Sequence, residues 1–193
     1  IGNENYEKAQ YELEMGNNNY FRGGRTYEAA LLYQLYGQFY AVQSQYTSAV
    51  PWFEKALATE KMPRIGAQEV RFQLAQTYFM IGKYENVISL LDEFIRVGER
   101  YKYPVSARVN LLMSYSHGRL EQYEPSYFHI KQANNKSDKP QLDWIEYAFS
   151  LAMKLENLDD AEDLGTRLLF LEPNKKKYWN QVSALYFAKE FEL

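Results

Sequence analysis

Cysteine is absent from this chain of 193 residues, which excludes disulfides, cysteine-ligated zinc and thiol catalysis. Histidine is scarce, with only two residues. No apolar run approaches the roughly 18 residues of a membrane-spanning helix, so we expect no membrane insertion. An excess of positive charge is also lacking, because the net charge is −3, whereas nucleic-acid-binding domains usually carry a basic patch. We therefore expect no nucleic-acid partner.

Catalytic signatures are missing as well. The chain contains no HExxH, GxxxxGK[ST], GxGxxG or GxSxG motif. The glycine pair within residues 21–25 follows no predicted strand, so it is interpreted as a linker rather than an anion-binding turn. His117 and His129 fall on neighbouring predicted helices and could approach each other, either as ordinary imidazoles or as a reactive pair. We expect no catalytic residue, no metal ligand and no cofactor.

What the sequence does contain is an internal repeat. Each copy has two segments, except the fifth, which has one. Each segment carries large residues and one small residue at i, i+3, i+4 and i+7 spacing, which is one face of an α-helix. The position that we interpret as the small residue of each first helix is 37, 75, 113, 148 or 183. These positions are separated by 38, 38, 35 and 35 residues. In this register the third and fourth copies need one extra residue in the turn between their helices. The marker residues of the copies are Tyr33, Tyr36, Gly37, Tyr40, Tyr46, Ala49, Phe53 and Ala56; Leu74, Ala75, Tyr78, Gly82, Tyr84, Val87, Leu91 and Phe94; Leu112, Met113, Tyr123, Ser126, Ile130 and Ala133; Trp144, Tyr147, Ala148, Leu151, Leu158, Ala161, Gly165, Leu168 and Pro173; and Trp179, Val182, Ser183 and Tyr186.

The periodicity predicts helices and no strands. Pro63, Pro104, Pro140 and Pro173 fall between the predicted helix pairs, where the chain must leave one helix and start another. Pro51 lies deeper, inside a predicted helix, and we expect it to distort the start of that helix. Asparagine and glycine residues over 16–24 predict a flexible break after the first segment. The predicted helices lie near 4–15, 26–43, 47–60, 66–81, 84–98, 104–118, 124–134, 140–155, 158–171 and 174–190.

These markers resemble the tetratricopeptide-repeat family, whose repeat is 34 residues long, over about residues 26–190. The resemblance implies an all-α, right-handed solenoid of antiparallel helix pairs, with a concave face lined by the first helix of each pair. The expected organisation is an N-terminal helix or arm over 1–24, which could be the end of a preceding repeat, and a repeat domain over 25–193. The resemblance also implies a protein- or peptide-binding role.

A narrower resemblance concerns the segment from Leu171 to Trp179 and the tyrosine-rich pair from Tyr33 to Phe53. Both look like tetratricopeptide proteins linked to TonB-type energy transduction in Gram-negative bacteria. That family implies a periplasmic helper of outer-membrane nutrient uptake, with the cytoplasm as the alternative location. The repeat physics does not bear on this choice, because one fold serves many functions.

The binding surface is expected on the concave positions of the first helices, which are rich in amide and aromatic side chains. Such a lining suits hydrogen bonding to an extended or helical partner segment, with phenylalanine side chains as apolar anchors or as packing residues. The expected partner-binding residues are Gln34, Gln38, Glu69, Phe72, Gln76, Phe79, Asn110, Ser114, His117, Phe149 and Asn180.

Three functions remain open at this stage. The first is a protein-interaction scaffold that holds a partner segment in the groove. The second is self-assembly, because the fifth copy stops after its first helix and would expose an apolar solenoid end. The third is an enzyme, for which the two histidines are the available candidates. The chain also opens on Ile1 rather than Met, which predicts that further segments belong to the full protein.

Overall fold

The computed structural model describes residues 3–20, 26–137, 139 and 141–190, and these residues form ten helices and no strand. The chain divides into two compact units, the first ending at Tyr103 and the second beginning at Pro104. The first unit contains α1 Asn3–Tyr20, α2 Tyr27–Val42, α3 Tyr46–Ala58, α4 Arg64–Met80 and α5 Tyr84–Tyr101. The second contains α6 Ala107–Arg119, α7 Tyr123–Lys136, α8 Leu142–Lys154, α9 Leu158–Leu171 and α10 Lys176–Glu190. The predicted all-α, solenoid-like class is confirmed.

The same turn closes each of the four helix pairs. One residue in each turn has a positive φ, namely Ser44, Gly82, Glu121 and Glu156. Its N–H bonds the carbonyl three residues back, and the next N–H reaches five residues back, as in Lys83 N to Tyr78 O at 2.9 Å. This pair of bonds is the Schellman arrangement, which satisfies the carbonyls left unpaired at a helix end. The repeat therefore recurs in the backbone conformation of the turns as well as in the pattern of side chains.

The turns correct the predicted register of the second unit. Gly37 and Ala75 each lie seven residues before the positive-φ residue of their turn. The residues at that distance in the next two pairs are Ser114 and Phe149, not positions 113 and 148. The four turns have equal length, so the extra turn residue that the sequence reading required is wrong. A shift of one residue on a helix is a rotation of about 100°, so it changes which side chains face the interior.

Side-chain size is complementary across the helix pairs. A Cβ atom at Gly37 would lie 2.6 Å from ring atoms of Phe53 on the partner helix. In the fourth pair the sizes are exchanged, because Phe149 stands on the first helix and a Cβ at Gly165 would lie 3.1 Å from its ring. Close helix approach thus needs one small residue per contact, and either helix can supply it.

Two local predictions differ from the structure. Helix α1 continues through Gly16 to Tyr20, where a break was predicted, and Gly16 faces Leu32 of α2, with 3.6 Å from an added Cβ to that side chain. Pro51 was expected to distort the start of its helix, but α3 runs without interruption from Tyr46 to Ala58 with the exposed Pro51 inside it. Residues 21–25 and Pro140, which carried predictions, lie outside the described residues.

Candidate functional site

Amide side chains connect α2 and α4, which are the first helices of the two helix pairs α2–α3 and α4–α5. Gln34 and Gln38, one turn apart on α2, each donate from Nε2 to Oε1 of Gln73 on α4 at 3.3 Å. Gln73 in turn donates from Nε2 to Oε1 of Glu69 at 3.0 Å. We call these four residues the amide cluster. The amide cluster joins the predicted Gln34 and Gln38 of α2 to the predicted Glu69 of α4. The connecting residue, Gln73, was not predicted.

The amide cluster keeps polar capacity toward solvent. Gln34, Gln38 and Gln73 are half-buried, and Glu69 is exposed. Among the described residues, no hydrogen bond reaches the side-chain carbonyl oxygens of Gln34 and Gln38. A side-chain amide has two donors and one acceptor oxygen, so this surface can both accept from and donate to a peptide backbone.

Three further predicted residues extend the same side of α4. The Phe72 ring lies 6.4 Å from that of Phe94, and the Phe79 ring lies 5.4 Å from that of Tyr84 in an edge-to-face arrangement. Both phenylalanines are half-buried, so each packs against α5 and still presents part of its ring. Gln76, between them in the sequence, is exposed. The first unit therefore has a mixed amide and aromatic surface that carries one carboxylate, that of Glu69.

The register error explains why two predicted site residues of the second unit are in the interior. Ser114 is 0% exposed and donates from Oγ to the backbone carbonyl of Ser126 at 2.7 Å. Phe149 is 2% exposed and belongs to the hydrophobic core. Neither side chain can meet a partner, so their predicted role in binding is wrong. Counting from the turns, the positions equivalent to Gln34 and Gln38 are Leu111 and Tyr115 on α6 and Glu146 and Ser150 on α8. None of these four residues was predicted.

Asn110 and His117 are also buried, and they bond within the α6–α7 pair. Asn110 Oδ1 lies 3.3 Å from Nδ1 of His129, and His117 Nδ1 lies 2.7 Å from Oε1 of Gln122. The two imidazole rings stack 5.5 Å apart, so the predicted approach of the histidines is confirmed. Burial, followed by His117 and Lys136, lowers the pKa of His129 to about 4.

His129 is therefore neutral at ordinary pH, and both imidazoles are engaged in contacts between α6 and α7. Within the described residues, no three histidine, aspartate or glutamate side chains are grouped closely enough to hold a metal ion. Within the same residues, no helix combines the length and apolar character needed to cross a membrane. Asn180, the last predicted site residue, is exposed on α10.

No protein-family model matches the chain, and no curated protein matches it either. Solved structures do match. The crystal structure of YrrB, a TPR protein with an unusual peptide-binding site, aligns at a TM-score of 0.68 and 14% identity over 83% of this chain and 78% of YrrB. MamA aligns at a TM-score of 0.68 and 15% identity over 84% of both chains. TPR-like repeats of a putative kinesin light chain from Podospora anserina align at 0.68 and 13% identity, over 90% of this chain and 88% of that one. At such identities the likeness shows the fold, which is that of tetratricopeptide-repeat proteins.

Proposed function

We propose that the chain is a non-catalytic interaction scaffold that binds an extended protein segment along α2 and α4. The observation that carries this proposal is the amide cluster, in which three side-chain amides and the carboxylate of Glu69 connect the first helices of two successive helix pairs. An extended segment offers backbone N–H and C=O groups at regular spacing, and side-chain amides satisfy both kinds of group. YrrB, which has the same fold, is a TPR protein with a peptide-binding site, and this likeness supports the proposal.

The half-buried Phe72 and Phe79 are the proposed apolar anchors of this surface. Each ring is fixed on one side by an aromatic neighbour on α5, so little side-chain entropy is lost when a partner covers the other side. Aromatic anchors flanked by polar groups are common at protein interfaces. Gln34, Gln38, Gln76 and Glu69 would supply the polar contacts.

The test begins with peptides selected from a random library displayed on phage against the immobilised protein. Fluorescence polarisation then measures the Kd of a selected peptide for wild type and for Gln38→Ala/Gln76→Ala. Two lost hydrogen bonds at about 1 kcal/mol each predict roughly 30-fold weaker binding. The matched control is Asn86→Ala/Ser89→Ala, which removes two exposed polar groups from α5. Equal weakening in both variants, or unchanged binding in a folded Gln38→Ala/Gln76→Ala protein, would refute the site.

A second candidate function is self-association through α10. Trp179, Tyr186 and Phe187 are exposed on this helix, and Trp179 and Tyr186 lie seven residues apart, which places them on one face. Exposed aromatic faces often mark interaction surfaces. Light scattering over a concentration series should show a dimer that Trp179→Ser/Phe187→Ser abolishes. A strictly monomeric wild-type protein would eliminate this candidate.

The finer proposal, a periplasmic helper of TonB-dependent transport, rests only on the sequence resemblance of Leu171 to Trp179 and of the first tyrosine-rich pair. None of the three structures described above bears on it. Fractionation of the native host and co-purification with the tagged full-length protein are the direct tests. Recovery only from the cytoplasm, without any component of such a transport system, would eliminate it.

A further inference from the structure

Four arginines line a cavity of about 390 Å³ between the first half of α4 and the last half of α5, within the first unit. Arg64 and Arg71 come from α4, and Arg96 and Arg100 come from α5. Its other lining residues are Met62, Ala67, Glu93, Val97 and Tyr101. We call this cavity the arginine pocket. None of its residues belongs to the amide cluster.

The charge inventory of the arginine pocket is unbalanced. Glu93 is its only acidic lining residue; it bonds Arg96 and lies 3.9 Å from Arg71. Four guanidinium groups and one carboxylate leave a net charge of +3 in the lining. Among the described residues, no carboxylate lies within 4 Å of Arg64 or Arg100. Like charges gathered in one cavity repel unless an anion joins them, so the pocket has unused capacity for negative charge.

Arg71 is the most firmly held member. Its side chain is 24% exposed, and Nη1 donates to Oε1 of Gln68 at 2.9 Å. Gln68 is itself buried and donates from Nε2 to the backbone carbonyl of Phe94 at 2.7 Å. This chain of bonds from α5 backbone to guanidinium fixes the orientation of Arg71. A fixed donor loses less freedom on binding than a mobile surface arginine.

Arg64 and Arg100 are positioned by an aromatic ring instead of by a carboxylate. The guanidinium carbon of Arg64 lies 4.1 Å from the ring centroid of Tyr101, and that of Arg100 lies 5.5 Å away. Stacking on a ring leaves the in-plane N–H donors of guanidinium available, and these donors form the fork that suits oxyanions. Arg100 also lies in the last turn of α5, where the helix dipole favours a cation, but this explains only one of the four.

The start of α4 adds a second source of donors beside the pocket. The residue preceding the helix is Pro63, and no side chain caps the first N–H groups. Met62 and Arg64, on either side of Pro63, both line the pocket. Uncapped N–H groups at a helix start favour anions. The helix start alone would not define a site, but here it adjoins a cavity that already has an excess of guanidinium groups.

We propose that the arginine pocket binds the phosphate group of a phosphate monoester. A phosphate monoester carries nearly two negative charges and three terminal oxygens at pH 7, which matches several converging guanidinium forks better than the single charge of a carboxylate. Apolar side chains of Met62, Ala67 and Val97 provide room for the carbon skeleton of the ester. The phosphate could come from a small soluble ester or from a phosphorylated side chain.

Isothermal titration and ¹H–¹⁵N NMR of the whole chain test the proposal. The probes are inorganic phosphate, glycerol phosphate, a phosphoserine blocked at both termini, and acetate as the monoanionic comparison. We expect phosphate esters to bind at least tenfold more tightly than acetate, with shifts centred on Arg64, Arg71 and Arg100. Added salt should weaken binding, because the contacts are electrostatic. Tighter binding of glycerol phosphate would identify a soluble ester as the source, and tighter binding of phosphoserine would identify a protein side chain.

The variant is Arg64→Gln/Arg100→Gln, which changes two exposed residues and removes both positive charges while leaving polar side chains. It should lose at least tenfold in affinity for the better ester. The control, Lys55→Gln/Lys83→Gln, removes the same charge from the first unit at residues that do not line the pocket. The proposal is overturned if wild type binds no phosphate at millimolar concentration, if acetate binds equally well, or if both variants lose the same affinity. Wild-type shift mapping decides the question even if the variant fails to fold.

Discussion

Gly37→Ala is the sharpest test of the size complementarity between paired helices. The added Cβ would lie 2.6 Å from two ring carbons of Phe53 and 2.9 Å from a third. Phe53 is 1% exposed, so its ring has no empty space to enter without moving its other neighbours. The substitution therefore forces either a displaced ring or a wider helix separation.

Two opposing terms set the magnitude. Overpacking a close-packed core costs about 1–3 kcal/mol, whereas replacing glycine by alanine inside a helix favours folding by about 1 kcal/mol. The sum predicts that Gly37→Ala lowers the free energy of unfolding by roughly 1 kcal/mol. The matched control is Gly66→Ala in α4, where an added Cβ meets only two atoms of Met62 at 4.0 Å. Without a clash, Gly66→Ala should raise the free energy of unfolding by about 1 kcal/mol.

Urea unfolding followed by tryptophan fluorescence provides the assay. Trp52 stacks on Tyr36 with ring centroids 4.4 Å apart, and it reports on the α2–α3 pair. The other two tryptophans, Trp144 and Trp179, belong to the second unit, so replacing both by phenylalanine leaves Trp52 as the single reporter. A Gly37→Ala protein as stable as the Gly66→Ala protein would refute the reasoning.

Three further predictions use thermal or urea unfolding. Glu121→Gly should stabilise by about 0.5–1 kcal/mol, and Gly82→Ala should destabilise by a similar amount, because both residues have positive φ; effects of the opposite sign would contradict the turn geometry. Phe149→Ala should lower stability by about 3–5 kcal/mol, as for a core residue, and a loss below about 1 kcal/mol would contradict the corrected register. Burial, followed by His117, lowers the pKa of His129 to about 4, so the folded protein stays neutral there while the unfolded chain takes up a proton below about pH 6.5. Stability should fall as the pH drops from 6.5 toward 4, and His129→Gln should flatten that profile; an unchanged profile would contradict the assignment.

Helix positions were predictable from the sequence because they depend on local periodicity. The helix predicted at 66–81 is observed as Arg64–Met80, and the one predicted at 158–171 is observed as Leu158–Leu171. Apolar spacing fixes which residues are helical, whereas the register between copies depends on which position is treated as the small one. The sequence reading chose Ala148, which is indeed small and buried, over the equivalent Phe149. It could not foresee that α9 supplies the small residue of that contact through Gly165.

The candidate binding surface was predicted in part for a related reason. Gln34 and Gln38 were found because they lie at expected concave positions of the first repeat. Gln73 was missed because it lies one position away from the expected Phe72, and only the approach of α2 to α4 shows that its side chain reaches both α2 glutamines. The predicted register placed Ser114 and Phe149 on the concave face, whereas the observed register places their side chains in the interior.

The arginine pocket has no sequence motif, yet the helix pair generates it by a simple symmetry. In an antiparallel pair, residues at similar distances from the turn face each other. Arg64 and Arg100 each lie 18 residues from Gly82, and Arg71 and Glu93 each lie 11 residues from it. Once Gly82 is known to be the turn residue, pairing the residues at equal distances before and after it predicts from the sequence alone that these charges lie close together. Residues that are scattered along the chain can thus form one site, because the turn, rather than their spacing, determines which of them meet.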